Sequence, residues 1–322
     1  MSSALTLRDR AGAWLVRWGI GRLSYLVPAG LYALGNATSE DPVVVTANYK
    51  MSYDIVRNVL AGRRLWLLVL ETYGVNVWCA AGKGTFGTDE LVRRIEETAL
   101  SQLIAHRRLI MPILGAPGIA AHEVRSRTGF EVRYATIRAG DLPEYLDNGM
   151  ITTPGMRQLT FSLRERLVLI PVEIMLTLKP LAFIGFLLVS VPTLLGFPYT
   201  GLRMLAAFLA AAFIGIAVTP LLLPWLPGRY FSVKGAMAAV ALLLAYYLFA
   251  DSSAQNVFIT LSTFLVLPAV SAFYALNFTG CTPFTSKSAV KKELRIVLPL
   301  MSGSFILGSI LAIVGMYCQE FL

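Results

Sequence analysis

The distribution of charge constrains this chain more than any motif does. Residues 1–156 carry charges at the density of an ordinary water-soluble domain, whereas residues 180–320 contain long uncharged stretches. Crossing a hydrocarbon core takes about 20 apolar residues. Five segments meet or approach that length, near 180–197, 203–225, 234–250, 257–279 and 296–317. The expected fold is therefore an α/β layered domain (1–156) followed by an α-helical transmembrane domain of about five spans (180–322). Between them, residues 157–179 mix Arg164, Arg166 and Lys179 with Leu167 to Ile170, the composition of an interfacial linker helix.

Lys and Arg exceed Asp and Glu by 28 to 19, a formal charge of +9. The basic residues lie beside apolar spans and not in an aromatic-interleaved groove, which points to membrane flanks and not to nucleic acid. Arg229, Lys234, Lys287, Lys291, Lys292 and Arg295 occupy the loops at 226–234 and 280–295, whereas the loops at 198–203 and 251–256 carry only Arg203. The positive-inside rule then gives a multi-pass protein of the cytoplasmic (inner) membrane, with its N-terminal domain in the cytoplasm and its C-terminus outside. No cleavable signal is evident. Residues 11–35 are apolar but carry Arg17 and Arg22 near the centre, so they read as an amphipathic helix packed on the domain or lying at the bilayer surface.

Within 1–156, strands are expected at 43–46, 65–70, 109–114 and 130–137, and helices at 52–60, 89–107, 118–128 and 142–146. Alternation at this spacing predicts parallel βαβ units. Ligands of such sheets collect at the carboxyl ends of the strands. Three segments fall there: 46–49, the loop around Cys79, and Gly115–Gly118. Cys79 stands between a strand and a helix, where unpaired N–H groups and the helix dipole favour a thiolate, the form that binds metals. An inert core cysteine is the competing reading.

Other chemistry finds less support. Gly82-Lys83-Gly84-Thr85 is not a phosphate loop, which requires Gly at 77 and Ser or Thr at 84, where Val77 and Gly84 stand. The three cysteines form no C-x-x-C pair, so no disulfide framework, structural zinc or intrinsic iron–sulfur cluster is expected. His106 and His122 read as solvated helix positions, and no Asp-x-His-x-x-Gly motif is present. The spans hold almost no mid-depth ionisable residue of the kind transporters use.

Asn76-Val-Trp-Cys-Ala-Ala-Gly-Lys83 resembles the signature of the corrinoid protein of bacterial mercury methylation, the HgcA family. The resemblance extends through Gly84-Thr-Phe-Gly-Thr88 and Val45-Thr-Ala-Asn-Tyr-Lys50. Gly115 to His122 also resembles the related large subunit of the corrinoid iron–sulfur protein of acetyl-CoA metabolism. The resemblance implies a corrinoid-binding α/β domain holding a cobalamin-type corrinoid, its nucleotide base displaced, with Cys79 as the lower axial cobalt ligand and catalytic residue. It further implies transfer of a methyl group from cobalt to Hg(II) as a carbanion equivalent, forming methylmercury. A thiolate opposite the methyl group pushes electron density toward it, by analogy with haem thiolates.

On the same resemblance Thr46, Asn76, Val77, Trp78, Ala80, Ala81, Gly82, Lys83, Gly84, Gly115, Gly118 and Ala139 contact the corrin or shape its pocket. The small residues would let backbone approach the corrin, Asn76 would hold the local turn, and Trp78 would wall the pocket. Lys83 would stabilise the thiolate or hold a corrin tail, or be simply solvated. Carbanion transfer leaves cobalt two electrons short, which implies a ferredoxin-like partner with two 4Fe–4S clusters. The methyl donor would be a methyl-folate or methyl-pterin, delivered by another methyltransferase. Two alternatives stay open: a membrane-bound corrinoid methyl carrier with another natural acceptor, and a permease or signalling protein whose α/β domain binds a different ligand.

Overall fold

The computed structural model describes residues 3–249, 256–282 and 285–319. The chain divides into two compact units, Met1–Thr160 and Phe161–Leu322. In the first, α1 (Leu7–Arg17) is followed by β1 (Gly30–Leu34), β2 (Val43–Ala47), α2 (Lys50–Val59), β3 (Leu65–Leu70), α3 (Val77–Lys83), α4 (Thr88–Glu97) and the one-turn α5 (Leu100–Leu103). Then come β4 (Arg108–Met111), a 3-10 segment (Ile113–Gly118), α6 (Ala121–Thr128), β5 (Glu131–Tyr134) and α7 (Leu142–Asp147). The sheet order is β1-β3-β2-β4-β5, parallel except for the antiparallel edge strand β1.

The apolar runs of β2 and β3 are buried on both faces, as parallel strands covered by helices require. Val43, Val45 and Ala47 enter one core layer with Leu68, Leu70, Leu91 and Ile95. Their neighbour Val44 enters the opposite layer with Leu67, Val69, Tyr53 and Leu60. Alternation of side chains along one strand thus supplies both cores.

Several boundaries differ from the expected ones. The apolar stretch 11–35 is not a single helix. Gly19 (φ 76°) and Gly21 (φ 62°) take the left-handed conformation just beyond α1, and Gly30–Leu34 pairs with β3. The helix expected over 89–107 breaks at Ala99, whose φ is 49°. The third strand stops at Met111, before Pro112, which has no N–H for a ladder. The octet around Cys79, read as a loop, is the helix α3.

In the second unit, α8 (Leu163–Leu194) and α9 (Pro198–Phe213) lead through a π-helical turn (Ile214–Val218) into α10 (Thr219–Leu222). After these come α11 (Phe231–Phe249), α12 (Val257–Asn277) and α13 (Lys287–Gln319). Among the described residues, five stretches are long and apolar enough to cross a membrane: Leu163–Leu194, Pro198–Leu222, Phe231–Phe249, Val257–Gly280 and Ser288–Cys318. Residues 163–179, expected as a separate interfacial helix, are continuous with the first of these. Its start carries a reciprocal Ser162–Glu165 capping box.

Small residues bring these helices close together. A Cβ on Gly235 would lie 2.6 Å from Ala275 Cβ, and one on Gly308 2.5 Å from Val266 Cγ2. The Ser271 hydroxyl donates to the Gly235 carbonyl at 2.8 Å. Cys318 is a free thiol. The side chains of Cys281 and Lys287, and loop residues 250–255, lie outside the described residues.

Helix α1 is fastened to the first unit by charge. The Asp9 carboxylate accepts from Lys50 and, at 2.8 Å, from Arg57, and both cations also pair with Asp54. Burial pushes the Asp9 carboxyl up, but hydrogen bonds from Lys50, Thr6 and Arg57 outweigh this and hold it well below the usual carboxylate range. A depressed folded-state pKa gives stability that is full above about pH 4 and is lost as pH falls through the folded value. Acidification should therefore release α1, read as faster amide exchange over residues 7–17. Asp9→Asn should produce the same release at neutral pH, at a cost of about 1–3 kcal/mol, between exposed and buried ion pairs. Unchanged exchange in the variant would show that the ion network does not hold the helix.

Candidate functional site

Helix α3 owes its position to small residues. Its N-cap is Asn76, whose Oδ1 accepts the Cys79 N–H at 2.9 Å, and Gly84 ends it in the left-handed conformation at φ 84°. Ala80 and Ala81 are buried in the core against the sheet. Beneath them Phe86 is fully buried, and the 3-10 segment passes so close that neither Gly115 nor Gly118 has room for a side chain. A Cβ on Gly115 would stand 2.5 Å from the Phe86 ring, and one on Gly118 would collide with the Phe86 carbonyl and sit 3.1 Å from Ala81 Cα. With the alanines turned inward, helical geometry turns Trp78, Cys79, Gly82 and Lys83 outward. All four are exposed, and Cys79 is a free thiol.

The turn before α3 is held from the 46–49 segment at the end of β2, by a residue given no role of its own there. Buried Asn48, just past β2, accepts from the Thr72 N–H at 3.1 Å, the Thr72 hydroxyl at 2.9 Å and the Gly74 N–H at 3.4 Å. Its amide donates to Glu71 Oε1 at 2.5 Å. From α4, Glu90 accepts the Glu71 N–H at 2.7 Å. Burial raises the Glu90 carboxyl, but this bond and those from Arg94 and Arg93 bring it below its ordinary value. An asparagine at a strand end was the available signal, since a buried amide must be satisfied.

The chain leaves β2 toward β3 on one side, and β4 lies on the other, so the order reverses between β2 and β4. Helix α2 shares the core layer of Tyr53 and Val56, whereas α3, α4 and α6 contribute to the opposite one. The crevice at such a reversal is where open α/β sheets bind ligands. A cleft of about 320 Å³ opens there, lined by Thr46, Ser52, Asn76, Trp78, Thr136 and Ala139 among others. The volume is at the lower end for small-molecule sites.

Five of the residues singled out from the sequence, Thr46, Asn76, Val77, Trp78 and Ala139, therefore line one cleft. Cys79, Gly82, Lys83 and Gly84 lie on the exposed surface of the α3 segment, and a Cβ on either glycine would meet nothing within 4 Å. Ala80, Ala81, Gly115 and Gly118 belong to the packing beneath it. Ser52 and Thr136 were not anticipated; position at a helix start and a strand end was their only signal. His106 takes no part in the cleft: it lies in the turn before β4, with Nε2 3.0 Å from the Asp41 carbonyl. His122 is exposed on α6. Among the described residues, no group of three His, Cys, Asp or Glu side chains is placed to hold a metal ion.

Comparison with known proteins places this unit among relatives. Residues 23–146 match the family profile described as CO dehydrogenase/acetyl-CoA synthase delta subunit. The acetyl-CoA decarbonylase/synthase complex subunit gamma of Methanopyrus kandleri is 32% identical over 123 residues, as is that of Archaeoglobus fulgidus. The counterpart from Methanocaldococcus jannaschii is 27% identical over 124 residues. Each alignment covers 38% of this chain, and the chain spans about a quarter of the length of these curated relatives (25–26%). The matched stretch is the α/β unit that carries Cys79 and the cleft.

Proposed function

We propose that this chain is a membrane-anchored corrinoid methyltransferase that forms methylmercury from Hg(II), with Cys79 as the lower axial cobalt ligand. The observation that carries the reading is a free, exposed thiol on the outer surface of a short helix that itself lines the switch-point cleft. Two further lines support it: the similarity of residues 23–146 to acetyl-CoA decarbonylase/synthase subunits, and the octet 76–83.

The residues present suit such a group. A thiolate is a soft donor, the open surface over Gly82 and Gly84 leaves room for a broad ligand, and the cleft offers apolar walls with hydroxyls at Thr46, Ser52 and Thr136. Cys79 would hold the cobalt of such a corrinoid, and the bound group would supply a methyl group that a thiolate donor favours releasing with its bonding pair to an electrophile such as Hg(II). Asn76 fixes the helix start by occupying the Cys79 N–H. Ala80 and Ala81 seat the helix, and Trp78 closes one wall of the cleft. Lys83, one turn beyond Cys79, brings a cation to the same helical face. A ferredoxin-like partner, a separate methyl donor and a cytoplasmic placement of this unit complete the proposal.

A second reading has a specific support. The relatives are named as subunits of a complex that handles acetyl-CoA, so a corrinoid methyl carrier with a different acceptor fits the same residues.

In the full chain loaded with cobalamin, Cys79→Ala should change the visible absorption spectrum and reduce methylmercury formation to background. An unchanged spectrum would refute the ligand assignment. A changed spectrum in the variant, together with wild-type methyl transfer to other acceptors but never to Hg(II), would favour the second reading. Gly118→Val should force α3 off its seat at a cost of about 1–3 kcal/mol, as overpacking does, and weaken corrinoid binding with Cys79 intact. Wild-type melting and binding in that variant would show that the close packing is dispensable.

A further inference from the structure

Helix α1 sits on the first unit the wrong way out for a water-soluble surface. Its inward side is polar or small. Asp9 is tied to Lys50 and Arg57, Gly12 lies against the Tyr25 ring, Tyr25 donates to the Asp9 carbonyl at 3.2 Å, and Val16 is buried. The outward side is apolar. Leu7, Ala11, Trp14 and Trp18 follow one another along it at helical spacing, with Leu7 84% and Trp14 67% exposed. Leu15 and Arg8 flank this stripe on one side, Arg10 and Arg17 on the other. The turns beyond the helix continue the pattern, with exposed Ile20, Arg22 and Leu23.

We infer that this face docks onto an anionic phospholipid bilayer. A surface helix normally turns its apolar stripe toward the core; here the ion network spends the polar face on the core and leaves the apolar one outside. Charge selects the occupant. Residues 3–26 carry four arginines and a single carboxylate, Asp9, which is turned inward, so the only charges flanking the outward apolar stripe are cationic. Tryptophan with flanking arginine is the composition that settles at the headgroup boundary of anionic lipid. Among the described residues the chain also carries five candidate spans after residue 162, which keep a bilayer at hand whenever they are inserted. A protein partner would be selected by acidic side chains and would not need lipid.

The test uses the full chain in nanodiscs with brominated acyl chains, made of phosphatidylcholine alone or with phosphatidylglycerol. Wild type is compared with Trp14→Phe/Trp18→Phe, so that the difference isolates the emission of these two tryptophans. Their emission should fall by about twofold or more in the phosphatidylglycerol discs, and the effect should weaken with salt. Arg8→Glu/Arg10→Glu, which alters exposed side chains only, should abolish that lipid dependence while leaving the far-ultraviolet circular dichroism unchanged. Emission from the pair that is equal in brominated and unbrominated discs of both compositions would overturn the inference.

Discussion

How closely α3 lies against its neighbours decides what Cys79 can do. Ala80 and Ala81 bring the helix onto Phe86, and Gly115 and Gly118 let the 3-10 segment pass at backbone distance. A seven-residue helix has little stability of its own, so its register rests on this contact and on the Asn76 cap. Rotating it by one residue would bury the thiol and expose an alanine. The inert-core reading of Cys79 therefore fails on packing: the inward positions are already filled by side chains small enough to fit there.

The sheet supplies the other half of the site. Because β2 has β3 on one side and β4 on the other, the segments that follow β2 and β4 leave toward opposite core layers and open a cleft at the carboxyl end of the sheet. Residues far apart in the chain, Thr46, Ser52, Asn76 and Thr136, meet there only because of this reversal. Asn48 and Glu90 tie the β3–α3 turn to the same end of the sheet, so the helix start and the cleft wall are positioned together.

Much of this was legible in the residues. Two-sided apolar runs such as Val43–Ala47 and Leu65–Leu70 can be satisfied only by strands covered on both faces, and they are such strands. The long uncharged stretches within 180–320 form helices of spanning length or parts of them. What escaped is also instructive. Edge strand β1 hides in an apolar segment with no clean alternation, because an edge strand's identity comes from the partner it finds. Helix α3 is too short for a 3.6-residue period to declare itself, and its flanking glycines suggest a loop.

The amino-acid order alone determined the division of the chain into a charged first part and an apolar second part, the parallel α/β character of its first unit and the octet around Cys79, because these follow from local charge, apolar runs and residue identity. Tertiary structure alone decided which octet residues face inward and which outward, that Thr46, Asn76, Trp78 and Ala139 share one cleft, and that α1 turns its apolar stripe away from the domain. The physical reason is common to all three. Orientation depends on which partner a helix or strand packs against, and partners distant in sequence are chosen by the geometry of the whole sheet.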